Sequence, residues 1–209
     1  MNLFITGTDT GVGKTYATAR LIRHLRAQGL DTVGFKPLCC GSREDAEILR
    51  DAADGALTLN EVNPVWLRTP AAPYTAALIE NRSIDLALIR ETFAALRQRH
   101  ASLLVEGVGG WLVPIARDYT VADLARELGL PVAVVVKNRL GALNHAALTL
   151  AHLRGTPLEC AGIIFNEGPT TEADEDEPEG IAKATNQSVL EDWLGVRTLY
   201  RIGANQNVI

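Results

Sequence analysis

The run Gly7-Thr8-Asp9-Thr10-Gly11-Val12-Gly13-Lys14-Thr15 sets a lysine and a hydroxyl directly behind closely spaced glycines. Glycines let consecutive backbone N–H groups turn inward and cradle phosphate oxygens. Lys14 can reach the β- and γ-phosphates of a nucleotide, and the Thr15 hydroxyl can hold Mg²⁺. A helix N-terminus at this point adds a favourable dipole. The tail Gly13-Lys14-Thr15 fits the phosphate-loop pattern G-x4-G-K-[ST], whose first position here is Thr8, with the glycine displaced to Gly7. Because the loop follows a strand-like segment and opens a helical one, it reads as a phosphate site rather than a bare glycine turn.

Other chemistry-bearing residues also stand where strands end. Lys36-Pro37 closes a second strand, and the proline stiffens the chain behind the lysine. Cys40 follows closely, either a reactive thiol or a passive neighbour of the pocket. Asp45 opens the next helix, where it serves the helix dipole or an Mg²⁺ site. Glu106 ends the apolar run Leu103-Leu104-Val105 and precedes Gly107-Val108-Gly109-Gly110. A carboxylate in such a place is costly unless paired or metal-bound. Mg²⁺ takes oxygen ligands in near-octahedral geometry, and Thr15, Asp45 and Glu106 are the candidates beside phosphates and water. Gly141-Ala142-Leu143-Asn144 opens a further helix, whose free N–H groups either bind an anion such as a carboxylate or are capped by Asn144. Asn166 ends the last strong strand, where an amide can read an adenine edge or simply terminate the strand.

These residues need a scaffold that brings strand ends together. Apolar, β-branched runs at 2–6, 31–36, 102–106, 131–136 and 159–165 alternate with helical patterns at 14–27, 44–53, 84–99, 120–128 and 143–154. Ala17, Leu21, Ile22 and Leu25 form one face of the first helix. Ile84, Leu88, Ile89, Phe93 and Leu96 recur at helical spacing in the third. Gly129 followed by Pro131 stops the fourth. The run Pro131 to Val136 is apolar on both faces, as a central parallel strand must be. Beyond residue 167 the pattern weakens to a helix at 186–194 and a short strand near 196–202. Alternation of this kind predicts an α/β fold with a parallel sheet covered by helices on both faces, and ligands beyond the carboxyl ends of the strands.

Composition narrows the function. The chain has 209 residues, 47% hydrophobic and 22% charged, which points to one globular domain and excludes a disordered or fibrous chain. No apolar run approaches the roughly 20 residues that span a bilayer. The first residues enter a strand without a basic segment, which argues against a signal peptide. Six of the 25 acidic residues lie between Glu172 and Glu179, leaving 19 against 20 bases elsewhere, so one acidic loop carries the net charge of −5. Nothing forms the basic stripe that nucleic-acid binding needs. Three cysteines, two of them adjacent, make neither a disulfide framework nor a zinc spacing, which fits a reducing compartment. A soluble cytoplasmic protein is expected.

Taken together, Gly7 to Thr15, Gly34-Phe35-Lys36-Pro37, Val105-Glu106-Gly107-Val108-Gly109-Gly110, Leu140-Gly141-Ala142-Leu143-Asn144-His145 and Gly162-Ile163-Ile164-Phe165-Asn166 resemble the dethiobiotin synthetases in order and spacing. The resemblance implies a single-domain phosphate-loop fold and a homodimer. It also implies use of ATP, Mg²⁺ and CO2 to close a ureido ring on 7,8-diaminononanoate. By the same resemblance, Thr10 to Tyr16 would bind the nucleotide and Thr15, Asp45 and Glu106 would serve Mg²⁺. The turn of Glu106, Gly107, Val108 and Gly109 would meet ATP or the diamine, as would Thr10. Lys36, with Lys14, would be catalytic, and Asn166 and Glu167 would face adenine. Gly141, Ala142, Leu143 and Asn144 of a second subunit would hold the substrate carboxylate. The implied chemistry runs through a carbamate and a carbamic–phosphoric anhydride, so it requires gathered anions and no acid–base triad.

The sequence departs from the family pattern in places. Cys40 stands where a hydroxyl residue usually meets the substrate, Gly11 replaces an acid found in some members, and Ala72-Pro73-Tyr74 matches a Ser-Pro-His segment only loosely. Leu199-Tyr200-Arg201-Ile202-Gly203 lacks the expected Gly-x-Ile-Pro. If Gly203, Ala204 and Asn205 fill that place, base selectivity would be loose. Two other readings compete: a relative with an altered substrate, and a partition- or septum-type ATPase switch. The switch proteins carry a signature lysine where this chain has Asp9.

Overall fold

Strand and helix alternate along the chain much as the apolar periodicity predicts. The computed structural model describes residues 1–168 and 178–203. From the N-terminus, β1 (Asn2–Gly7) leads through the glycine loop into α1 (Lys14–Ala27). There follow β2 (Thr32–Phe35), β3 (Leu38–Cys40), α2 (Glu44–Ala52), α3 (Leu59–Val62), β4 (Val65–Leu67), α4 (Pro73–Ile79) and α5 (Leu86–Arg99). The second half runs β5 (Ser102–Glu106), β6 (Pro114–Ala116), β7 (Tyr119–Thr120), α6 (Val121–Leu128), β8 (Val132–Lys137), α7 (Ala142–Arg154), β9 (Cys160–Gly168), α8 (Pro178–Leu194) and β10 (Thr198–Gly203).

Six strands form an all-parallel sheet in the order β10-β9-β8-β1-β5-β2. β8 lies between β1 and β9, and Val132 to Val136 are buried on both faces, which is why no polar residue interrupts that run. From β1 the chain crosses past β5 to reach β2, returns through β5, and then crosses β1 to β8. The strand order therefore reverses around β1, and its carboxyl end is the topological switch point where such sheets hold ligands. The glycine loop sits there. α1 buries Ala17, Leu21, Ile22 and Leu25 against the sheet, as its spacing predicts.

The expected elements agree with the observed ones to within a residue or two, with three corrections. β9 runs on to Gly168, three residues past the expected end at 165. α8 begins at Pro178 rather than at residue 186. Leu88 is 40% exposed although Ile89 beside it is fully buried, so the covered stripe is narrower on α5 than on α1, where Leu21 and Ile22 are both buried. The short pieces β3, α3, β4, α4, β6 and β7 were not expected, because two to seven residues carry no usable period. They matter here, since β3 pairs with β4 beside the main sheet and builds one wall of the site. Residues 172–177 of the acidic stretch, Ala204 and Asn205 lie outside the described residues.

Candidate active site

The glycine loop can adopt its shape only with glycine at position 13. Gly13 has φ +88°, and a Cβ there would stand 2.0 Å from Asn166 Nδ2. That amide donates instead to the Val12 carbonyl at 2.9 Å, so β9 pins the loop from behind. α1 begins at Gly13 with no side-chain cap. α3, α5 and α6 are capped by Thr58, Asp85 and Thr120, whereas α2, α4 and α7, like α1, carry no side-chain cap. An uncapped N-terminus behind a glycine loop leaves its N–H groups for an incoming anion.

Lys14, Thr15, Lys36, Asp45 and Glu106 converge in front of this loop. Glu106 is fully buried. Its Oε1 accepts from Thr15 Oγ1 at 2.8 Å and from Lys36 Nζ at 2.5 Å. Lys36 Nζ also pairs with Asp45 Oδ2 at 2.9 Å and approaches the Gly107 carbonyl at 3.3 Å. Lys14 Nζ donates to the Asp9 carbonyl at 3.2 Å. Burial alone would depress the Lys36 ammonium, but Glu106 and Asp45 outweigh it and hold the amine protonated well above its ordinary range. Lys14 falls to about 8, first through burial and then through repulsion from Lys36. Burial would raise the Asp45 carboxyl, yet Lys36 carries it below the usual range.

Glu106 Oε2 is buried and makes no hydrogen bond among the described residues. An oxygen in that state asks for a cation. A carboxylate with an open oxygen, a threonine hydroxyl beside it and a second carboxylate across Lys36 suit Mg²⁺. That ion takes one or two carboxylates and completes its shell with phosphates and water. Among the described residues no group of three or more His, Cys, Asp or Glu forms a closed protein cage. These groups open onto a cleft of about 720 Å³ whose far wall is Cys40 and the Pro70–Pro73 segment. Thr10, Val108 and Gly109 also line it. Burial, followed by the nearby Glu80 carboxylate, pushes the Cys40 thiol up to about 11, so it is a neutral wall residue and not a thiolate.

The other expected site residues lie elsewhere. Asn166 and Glu167 are behind the loop, away from the cleft. Glu167 accepts from Arg201 at 2.8 and 3.0 Å on one oxygen and from Asn138 Nδ2 at 2.7 Å on the other, so both oxygens are engaged within the protein. Tyr16 donates to the Gly203 carbonyl at 3.1 Å and so ties α1 to β10. Gly141 to Asn144 do form the start of α7, with Gly141 at φ +88° and no side-chain cap from Asn144 or any neighbour. They do not line the cleft of their own chain. Sequence reasoning missed Asn63, which contacts the Lys36 backbone, and the buried pair Asn138–Asn186. An asparagine before Pro64 signals a turn, but nothing in that signal says its amide points inward.

The fold and the glycine loop define a phosphate-loop nucleotide-binding protein, and the AAA domain family (AAA_26) matches residues 1–198. Among solved structures the sheet is similar to that in the MinC:MinD cell division protein complex of Aquifex aeolicus. The TM-score is 0.57 at 15% identity, covering 97% of this chain and 81% of that one. It is also similar to chloroplast FtsY from Physcomitrella patens (TM-score 0.56, 15% identity), covering 96% of this chain but spanning only 57% of the FtsY chain. Sequence similarity is more specific. The ATP-dependent dethiobiotin synthetase BioD of Akkermansia muciniphila is 45% identical over 192 residues, 92% of this chain and 87% of that protein. The chain belongs to the dethiobiotin synthetase family, ATP-dependent ligases of biotin biosynthesis.

Proposed function

We propose that this protein closes the ureido ring of dethiobiotin on 7,8-diaminononanoate, using CO2, ATP and Mg²⁺ and releasing ADP and phosphate. The observation that carries the reading is the cluster of Lys36, Glu106, Thr15 and Asp45 set against the glycine loop in one cleft. One amine of the substrate adds to CO2 and loses a proton, giving a carbamate. A carbamate oxygen attacks the γ-phosphorus and displaces ADP, forming a carbamic–phosphoric anhydride. The second amine then attacks the anhydride carbon, closes the ring and expels phosphate.

Every stage gathers anions, so fixed positive charge and N–H donors do most of the work. The loop from Thr10 to Thr15 would wrap the phosphates, with Lys14 on the transferring group. Lys36 would hold the carbamate oxygens and neutralise the anhydride. Thr15, Asp45 and Glu106 would hold Mg²⁺, which supplies charge to the β- and γ-phosphate oxygens when bound. Holding both amines and the carbamate in one cleft supplies much of the rate by proximity. Thr10, Cys40 and the turn from Glu106 to Gly109 would flank the diamine. Asn166, Glu167 and Gly203 would shape the base pocket behind the loop.

The uncapped Gly141–Asn144 terminus does not line its own cleft, which supports a homodimer in which it holds the substrate carboxylate of the partner's site. Among the described residues no helix is long and apolar enough to cross a membrane. The three cysteines are free, and a cytoplasmic location suits them. Phosphate release from ATP should require the diamine and bicarbonate together. Brisk release without the diamine would overturn the proposal in favour of an ATPase switch.

A further inference from the structure

Lys36 lies between two strands that belong to different sheets, so neither ladder supplies its backbone partners. β2 ends at Phe35 against β5, and β3 starts at Leu38 against β4. Its N–H donates instead to the Val62 carbonyl at 2.8 Å, and its carbonyl accepts from Asn63 Nδ2 at 2.9 Å. Pro37 behind it fixes one more torsion. Two consecutive residues at the end of α3 therefore grip both sides of Lys36.

Asn63 is 1% exposed, and every polar atom of its side chain is engaged. Its Nδ2 donates a second time, to the Val65 carbonyl at 2.9 Å, while Oδ1 accepts from Arg43 Nε at 3.0 Å. A buried amide satisfied on all sides has one low-energy orientation, because any rotation orphans groups that water cannot reach. Arg43 holds the same turn through Nη2, which reaches the carbonyls of Leu59 at 3.0 Å and Asn63 at 2.8 Å. Its guanidinium lies 5.7 Å over the Trp66 ring. Arg43 is also the residue from which α2 starts, two positions before the Asp45 carboxylate that pairs with Lys36.

We infer that Asn63 is a positioning residue for Lys36, locked by Arg43, which fixes the base of a long, flexible side chain so that its ammonium meets the reacting carbamate. The inference rests on the reading of Lys36 as the active-site lysine. A displacement of about 1 Å at a reacting group costs on the order of a hundredfold in rate, and Asn63 holds the Lys36 carbonyl directly.

Single-turnover phosphate release and a separate titration with a fluorescent ADP analogue, on Asn63→Ala, Lys36→Ala and the double variant, test it. Asn63→Ala should lower the rate about tenfold to a hundredfold. Nucleotide affinity should stay within about twofold, since Asn63 does not touch the glycine loop. In the Lys36→Ala background, Asn63→Ala should change the residual rate by less than about twofold. Equal losses in both backgrounds, or a normal rate for Asn63→Ala beside a dead Lys36→Ala, would overturn the inference. A normal rate for Lys36→Ala would remove the reading beneath it, and that outcome is told apart by the single variant. Should Asn63→Ala fail to fold, Arg43→Gln, at a half-buried position, should show the same loss of rate with nucleotide affinity kept. An unchanged rate in that variant would likewise overturn the inference.

Discussion

Gly13→Ala should disable the protein through a clash that can be located and relieved. A methyl group at position 13 must adopt φ +88°, which costs an L residue about 1 to 2 kcal/mol. It must also displace Asn166 Nδ2, which would stand 2.0 Å away. Moving that amide breaks its 2.9 Å hydrogen bond to the Val12 carbonyl and leaves buried polar groups unpaired, for roughly 2 to 3 kcal/mol more. The total, about 3 to 5 kcal/mol, corresponds to a fall of roughly 10 °C in Tm for a chain of this size. Gly11→Ala is the control. It also has positive φ, +73°, but no atom lies within 4 Å of its Cβ, so only the backbone cost of about 1 to 2 kcal/mol applies. Thermal unfolding followed by circular dichroism, with nucleotide titration at 25 °C, reads both. Adding Asn166→Ala should then rescue part of the loss in Gly13→Ala and none in Gly11→Ala. If Gly13→Ala and Gly11→Ala unfold at the same temperature, or Asn166→Ala fails to rescue, the packing argument for the loop is wrong.

Lys14→Ala should lower kcat/KM for ATP by about a thousandfold, roughly 4 kcal/mol, as expected of a cation on the transferring phosphoryl group. A loss confined to KM would show that Lys14 only binds. Glu61 bonds to Arg99 and to the Thr58 backbone, which holds its carboxyl at about 2. Its stabilisation is therefore complete above the ordinary carboxylate value of 4.5 and disappears as pH falls through 2. Glu61→Gln should destabilise the fold at pH 7 by no more than about 1 kcal/mol, and urea unfolding should show the gap closing as pH drops from 5 to 2. A gap independent of pH would refute the charge argument. With the Cys40 thiol at about 11, its alkylation by iodoacetamide at pH 8 should be on the order of a hundredfold slower than in the unfolded chain. Peptide mapping that finds comparable rates would show the cleft wall to be open and the thiol ordinary.

The sheet was readable because its strands leave no choice of partner. A run such as Val132 to Val136 is tolerable only when covered on both faces, and helical stripes such as Ala17, Leu21, Ile22 and Leu25 supply the cover. The residues that follow those strands were readable for the same reason, since a parallel sheet delivers every carboxyl end to one edge. Segments held by side chain and turn were not. β3 and β4 have three residues each and are defined by their mutual pairing and by Asn63. A period of two cannot be recognised over so short a run, and an inward-facing amide leaves no trace in hydropathy. Leu88 failed for a related reason: spacing identifies a helix face but not how wide a stripe the sheet covers. Asn166 was expected just past a strand that in fact continues to Gly168, and its Nδ2 donates to the loop, because the glycine at 13 admits it there.

The charge pattern of the cleft explains why these residues must stand together. Glu106 cannot be buried as a lone anion, so Lys36 and Thr15 meet one of its oxygens. Lys36 cannot be buried with only one partner within reach of Lys14, so Asp45 answers from α2. Two lysines and two carboxylates leave the cleft with no net charge, while Lys14 reaches only a carbonyl and Glu106 Oε2 makes no hydrogen bond among the described residues. A polyphosphate with its divalent cation satisfies both at once: the phosphate oxygens meet Lys14, and the cation meets Glu106. Either one alone would upset the balance. Nucleotide and metal should therefore bind with mutual enhancement, and by thermodynamic reciprocity Mg²⁺ should tighten ATP by the factor by which ATP tightens Mg²⁺. Glu106→Gln removes the anion that links them. It should reduce that factor, and a factor that survives the substitution would place the cation elsewhere.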